Sequence, residues 1–170
     1  MAIPVGAFFK QSGWANERLL EVCEGLSDEQ LDATGVGVYG SIREMLLHLL
    51  SSEQYYLLRA TGAEPAEPVL LDEWPGFDVL KRATRANGTA LAAASESLPA
   101  DSMVTGNETD TYVEMSATVL FVQAFNHSTE HRTQILSMLS ALGVGPADFD
   151  SEIDGWSWGE ASGEMTAKVG

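Results

Sequence analysis

Two of the three histidines in this chain, His127 and His131, stand four residues apart in the stretch FNHSTEHRTQI. Four residues are a little over one helical turn, so on a helix both imidazoles leave the same face. The third, His48, lies in the apolar run MLLHLL. Neutral imidazole is a ligand for zinc, nickel, copper or iron, and an i, i+4 pair supplies two ligands at once. A third imidazole would complete a site that keeps a coordination position for water or substrate, the arrangement of catalytic rather than structural centres. The plainer reading is that two histidines on a helix fall at this spacing by chance and stay solvated, while His48 is a hydrogen-bonded core residue. Against it stands the joint pattern, since all three lie on apolar stripes. A buried imidazole lacking partners costs roughly 1–3 kcal/mol, and one shared ion would satisfy all three.

Four helical segments must position these residues. The first runs from about Pro4 to Glu24 with a stripe of Phe8, Ser12, Ala15, Leu19, Val22 and Leu26, and the polar turn SDEQLDATGVGVYG follows. Ser41 with Glu44 three residues later forms a capping-box pattern that opens the second helix, and Gly62 closes it. Met45, Leu46, Leu47, Leu49 and Leu50 make this helix apolar on more than one side, as expected for a helix covered by several neighbours or by a second subunit. Prolines at 65, 68 and 75 predict a loop. The third helix spans Pro75 to Pro99 on the stripe Phe77, Leu80, Thr84, Asn87, Leu91, Ala94 and Leu98, and this spacing outweighs the hairpin signal of Asn87-Gly88. Residues 101–115 predict a short β-hairpin around TGNETD. The fourth helix, about Ser116 to Leu142, carries Leu120, Ala124, His127, His131, Ile135, Met138 and Leu142, and Gly143 and Pro146 end it. The histidines therefore lie in a seam flanked by apolar residues. Such a pattern describes one domain over residues 1–170, an all-α bundle of about residues 5–142 with a tail over 143–170. If the second and fourth helices are neighbours, the three imidazoles can converge.

Helical geometry also nominates residues around the imidazoles. Glu44 and Ser52 lie one turn either side of His48, Gln123 lies one turn before His127, and Gln134 lies just beyond His131. Each can orient a ring N–H or meet a substrate, with an interhelical hydrogen bond as the simpler role. Thr84 and Asn87 are polar positions on an apolar stripe and are expected to line a pocket. Glu130 and Arg132 point off the seam, where a surface ion pair is expected. Cys23, the single cysteine, is expected to be a buried structural thiol.

Composition narrows the partners. Nine Lys and Arg against 25 Asp and Glu give a formal charge of −16, which argues against nucleic acid or an anionic membrane as partner. No apolar run approaches the roughly 20 residues needed to span a bilayer. One cysteine makes no internal disulfide, and the N-terminus lacks a signal-peptide pattern, so a cytoplasmic location is expected.

The segments SIREMLLHLLSSEQYYL and FVQAFNHSTEHRTQILSMLSALG, together with Trp14-Ala15-Asn16 and Leu142-Gly143, resemble the DinB-like (DinB/YfiT-type) metal-binding bundles over roughly residues 5 to 145. The resemblance implies an up-down-down-up four-helix bundle, frequently a homodimer, with His48, His127 and His131 as ligands of a divalent metal, zinc or nickel first and iron next. It also implies a small-molecule substrate and two activities: transfer or isomerisation using a low-molecular-weight thiol cosubstrate, or hydrolysis by metal-bound water. The third expectation is a non-catalytic stress or interaction protein that keeps the metal for stability. A groove from solvent to the metal would favour an enzyme, and a fourth protein ligand the structural role.

Overall fold

Local signals in the sequence set most helix ends seen in the computed structural model, which describes residues 4–108, 111–145 and 149–165. Helix α1 (Gly6–Cys23) opens behind Pro4. Helix α2 (Asp28–Leu31) is one turn long, capped by a Ser27/Gln30 capping box, inside the stretch expected to be only a turn. The same device opens α3 (Ile42–Thr61): the Ser41 hydroxyl accepts from the Glu44 N–H and the Glu44 carboxylate accepts from the Ser41 N–H at 2.7 Å. Gly62, at φ +71°, ends α3 in the left-handed conformation that a side chain would strain. Helix α4 (Phe77–Ser97) runs unbroken through Asn87-Gly88. Strands β1 (Met103–Glu108) and β2 (Thr111–Ser116) form the expected antiparallel hairpin, with Met103 opposite Ser116. Residues 109–110 at its tip lie outside the described residues. Helix α5 (Ala117–Ala141) is capped by the Ser116 hydroxyl. Gly143 follows it at φ +66°, while Pro146 lies outside the described residues. In the tail, a 3-10 turn (Phe149–Glu152) leads to α6 (Gly155–Ser162). The Gln11 side chain donates to the Ile153 carbonyl at 2.8 Å, holding this segment on α1.

The four long helices form a ring in the order α1, α4, α3, α5. Cross-links fix their directions. Lys81 pairs with Glu24 and Gly88 meets Gly13, so α1 and α4 are antiparallel. Phe9 packs on Phe121 while Arg132 bonds Asn16, so α1 and α5 are parallel. Tyr56 and His48 both reach His127, with His48 also near His131, so α3 opposes α5. The bundle is thus up-down-down-up.

The interior is apolar at both ends and polar between. One apolar cluster is built around Leu19, Leu46, Leu80 and Ile135, the other around Phe9, Leu91, Leu120 and Phe121. On α1 the inward residue is Phe9, not the expected Phe8, which is 47 % exposed. Both phenylalanines fit a helical stripe and both meet Phe125 of α5, and Phe9 also packs on Phe121. The apolar excess of α3 is covered within the chain: Met45, Leu46, Leu47, Leu49 and Leu50 are all buried.

Between the clusters lies a layer of hydrogen-bonded polar residues. The Glu53 carboxylate accepts from the Asn16 amide at 2.9 Å, from the Ser128 hydroxyl at 3.0 Å and from the Asn87 amide at 3.2 Å. Arg132 donates to the Ser12 hydroxyl at 2.7 Å and to the Asn16 carbonyl oxygen at 2.9 Å. Every long helix contributes. Arg132 is therefore not on the surface beside Glu130 as expected. It is buried and shares Asn16 with Glu53. Burial pushes the Glu53 carboxyl up from its ordinary value, opposed by its hydrogen bonds and by Arg132. Burial pulls the Arg132 guanidinium down to about 10, opposed by Glu53, so it stays cationic at neutral pH.

Candidate metal centre

Helices α3 and α5 are neighbours, and their antiparallel packing brings His48 against His127 and His131. The Nε2 atoms of His48 and His127 are 3.1 Å apart. The three ring centroids are separated by 4.9, 4.7 and 4.4 Å, and one ring nitrogen from each lies within 4.8 Å of the others. Two nitrogens bound to one zinc ion at about 2.0–2.1 Å stand roughly 3.0–3.4 Å apart, so the His48–His127 spacing already suits a shared ion. His131 is buried, whereas His48 and His127 are half-buried. One ring nitrogen from each of three imidazoles, gathered this closely, makes a donor set that can hold a divalent ion.

Electrostatics favour the neutral ring at His48 and His127. Burial lowers the His48 pKa from its ordinary value, with His131 adding to the effect. Burial first, then His131 and His48, bring His127 down to about 4. Neutral imidazole is the form that binds metal.

The surrounding residues take different roles. Gln134 Oε1 lies 2.9 Å from His131 Nδ1, so it accepts from a protonated Nδ1 and leaves Nε2 as the free lone pair. Gln123 bonds the Tyr56 hydroxyl, and the Tyr56 ring meets His127 edge-on at 5.8 Å. Glu44 is engaged in the α3 cap. Ser52 is half-buried and makes no hydrogen bond to the histidines among the described residues. Thr84 and Asn87 lie on α4, diagonally across the ring from α5, with Asn87 in the Glu53 layer. His127 Nδ1 is buried without a hydrogen-bond partner among the described residues. The expectation of a structural thiol at Cys23 fits its place in the core, where burial pushes its pKa up to about 12.

One neighbour of the cluster escaped the sequence reading. Tyr39, on the glycine-rich connection between α2 and α3, stacks its ring on His48 at 4.3 Å. Its only signal was a lone aromatic residue between glycines in TGVGVYG.

Comparison with known proteins gives the same fold. A crystal structure of a DinB-like protein from Bacillus cereus ATCC 10987 superposes with a TM-score of 0.59 at 16% sequence identity, covering 79% of this chain and 87% of that one. None of the curated proteins matches this chain. No helix among the described residues is long and apolar enough to cross a membrane. The model of the DinB family matches residues 1–161, nearly the whole length over which the helices and the three histidines have been described, and the chain belongs to the DinB family.

Proposed function

We propose that His48, His127 and His131 bind one divalent metal ion, zinc or nickel, and that the protein is a metal-dependent transferase acting on a low-molecular-weight thiol and a small-molecule acceptor. The observation that carries this reading is the convergence of three imidazoles from two helices that are distant in sequence. A bound divalent ion supplies Lewis acidity, which lowers the pKa of a thiol or water. The chain's own residues supply orientation: Gln134 fixes the His131 tautomer, and Tyr56 packs its ring against His127. The nucleophile comes from outside, because the single cysteine is buried and its thiol is held protonated. That supports a thiol cosubstrate and equally supports the second reading, hydrolysis by water. A thiol cosubstrate that must stay reduced fits a cytoplasmic location. The test is elemental analysis of protein purified without chelating resin, followed by thiol titration of the cobalt-substituted form. Growth of sulfur-to-cobalt charge-transfer absorption supports the transferase. Its absence at saturating thiol, with cobalt retained, leaves hydrolysis as the remaining enzymatic reading.

We also propose a homodimer formed through α1 and α5. Val5, Phe8 and Val122 are each about half exposed or more and border an apolar cleft of about 470 Å³. Two copies of a chain with charge −16 repel each other across acidic faces, and this cleft is lined without any charged residue.

A further inference from the structure

The connection between α2 and α3 reaches over the histidines and is seated at its stem. The Ile42 N–H donates to the Ala33 carbonyl at 3.3 Å, and Thr34 bridges to Ser41. Val38 packs against the apolar cluster of the bundle. Gly35 lies so close to α5 that a Cβ there would meet Met138 Sδ at 2.5 Å. Farther out the chain is open: Val36 is fully exposed, and a Cβ on Gly37 would meet nothing within 4 Å. Gly37 and Gly40 turn the backbone at φ +77° and +68°.

Between the seated Val38 and the turn at Gly40 stands Tyr39. Its ring stacks on His48 with an interplanar angle of 26° and meets His131 edge-on at 5.7 Å. Here the ring stacks on an imidazole of the cluster while half of the residue remains open to solvent. The rings flanking the cluster are Tyr39 and Tyr56, and the polar group bound to it is the neutral Gln134. The Glu44 carboxylate beside Gly40 is engaged in the α3 cap, while Tyr39, Tyr56 and Gln134 meet the histidine rings with two aromatic rings and one neutral amide.

We infer that Tyr39 is a specificity-determining residue: it forms the aromatic wall of the substrate site and selects ligands that carry a flat, uncharged ring next to the metal-binding atoms. This rests on the metal reading above. The full-length protein loaded with zinc is titrated with benzohydroxamate and acetohydroxamate, which share a chelating head and differ in phenyl against methyl. Metal content is measured before and after each titration. Wild type should prefer the phenyl compound, and Tyr39→Ala should reduce that preference by roughly threefold to tenfold, the range expected for an aromatic pair. Tyr39→Phe should keep it, and both variants should retain wild-type metal content. An unchanged preference in a metal-loaded Tyr39→Ala protein overturns the inference and leaves the metal site standing. Wild type that holds no metal overturns the metal reading, and this inference falls with it.

Discussion

His127 meets two unfavourable surroundings at once, burial and two neighbouring imidazoles, and its pKa falls to about 4. The sign of the consequence is definite. Between the ordinary value of 6.5 and about 4, the unfolded chain takes up a proton that the folded chain refuses. Acid therefore favours unfolding across that window, and above it the effect vanishes because both states are neutral. In metal-free protein, melting temperature should fall more steeply from pH 6.5 to 4 in wild type than in His127→Gln. Parallel curves for the two would refute the assignment. The ligand set makes a second prediction at this scale. Replacing His48, His127 or His131 with alanine should each remove most bound metal, and a double replacement should add little, because the three act as one unit. Glu130→Ala is the control and should retain metal. If His48→Ala binds like wild type while the α5 variants do not, α3 contributes nothing to the site.

Among the elements, the tightest fit is between α1 and α4. A Cβ on Gly88 would stand 3.1 Å from the Cα of Gly13, and a Cβ on Gly13 would meet Gly88 at the same distance. Backbone cannot step aside as a flexible side chain can. Gly88→Ala gains about 0.5–1 kcal/mol in helix propensity, but overpacking costs typically 1–3 kcal/mol. A net loss on the order of 1 kcal/mol is expected in chemical denaturation, and an increase in stability would show that the helices separate freely. The same contact explains why Asn87-Gly88 makes no hairpin: the stripe on either side commits the segment to a helix, and the glycine is used for approach. Spacing, capping residues and terminal glycines made α3, α4 and α5 legible in the sequence, and with them the face shared by His127 and His131. Phe8 and Phe9 show where periodicity stops, since adjacent residues fit the stripe equally and only the facing helix selects one. Arg132 was unreadable for a related reason. A charged side chain is buried only when partners await it, and Ser12 and Asn16 lie on another helix. Tyr39 depends on the path of a loop, which has no period to read.

For the whole molecule, the polar layer sets a condition on assembly: all four long helices must dock for Glu53 and Arg132 to be satisfied. Removing one member of a buried charged network leaves the other uncompensated, at roughly 3–5 kcal/mol. Arg132→Met should destabilise by about that much, and adding Glu53→Leu should recover a large part of it. Additive losses in urea denaturation would mean that the two charges do not sense each other. The external surface makes a separate prediction. Sedimentation should show a dimer for wild type and a monomer for Val122→Glu, which places a carboxylate beside the uncharged cleft. A wild-type monomer of 18.2 kDa at micromolar concentration would rule out the dimer.

The separation of His48 from His127 along the chain, 79 residues, has a consequence for biosynthesis. While α1, α3 and α4 emerge from the ribosome, the chain offers a lone imidazole, too weak a ligand to hold an ion. The other two arrive together, on the last of the long helices. On the proposed metal reading, capture of an ion is thereby deferred until α5 has been made and the bundle can close. A fragment ending before α5 should bind no metal, however well its helices form.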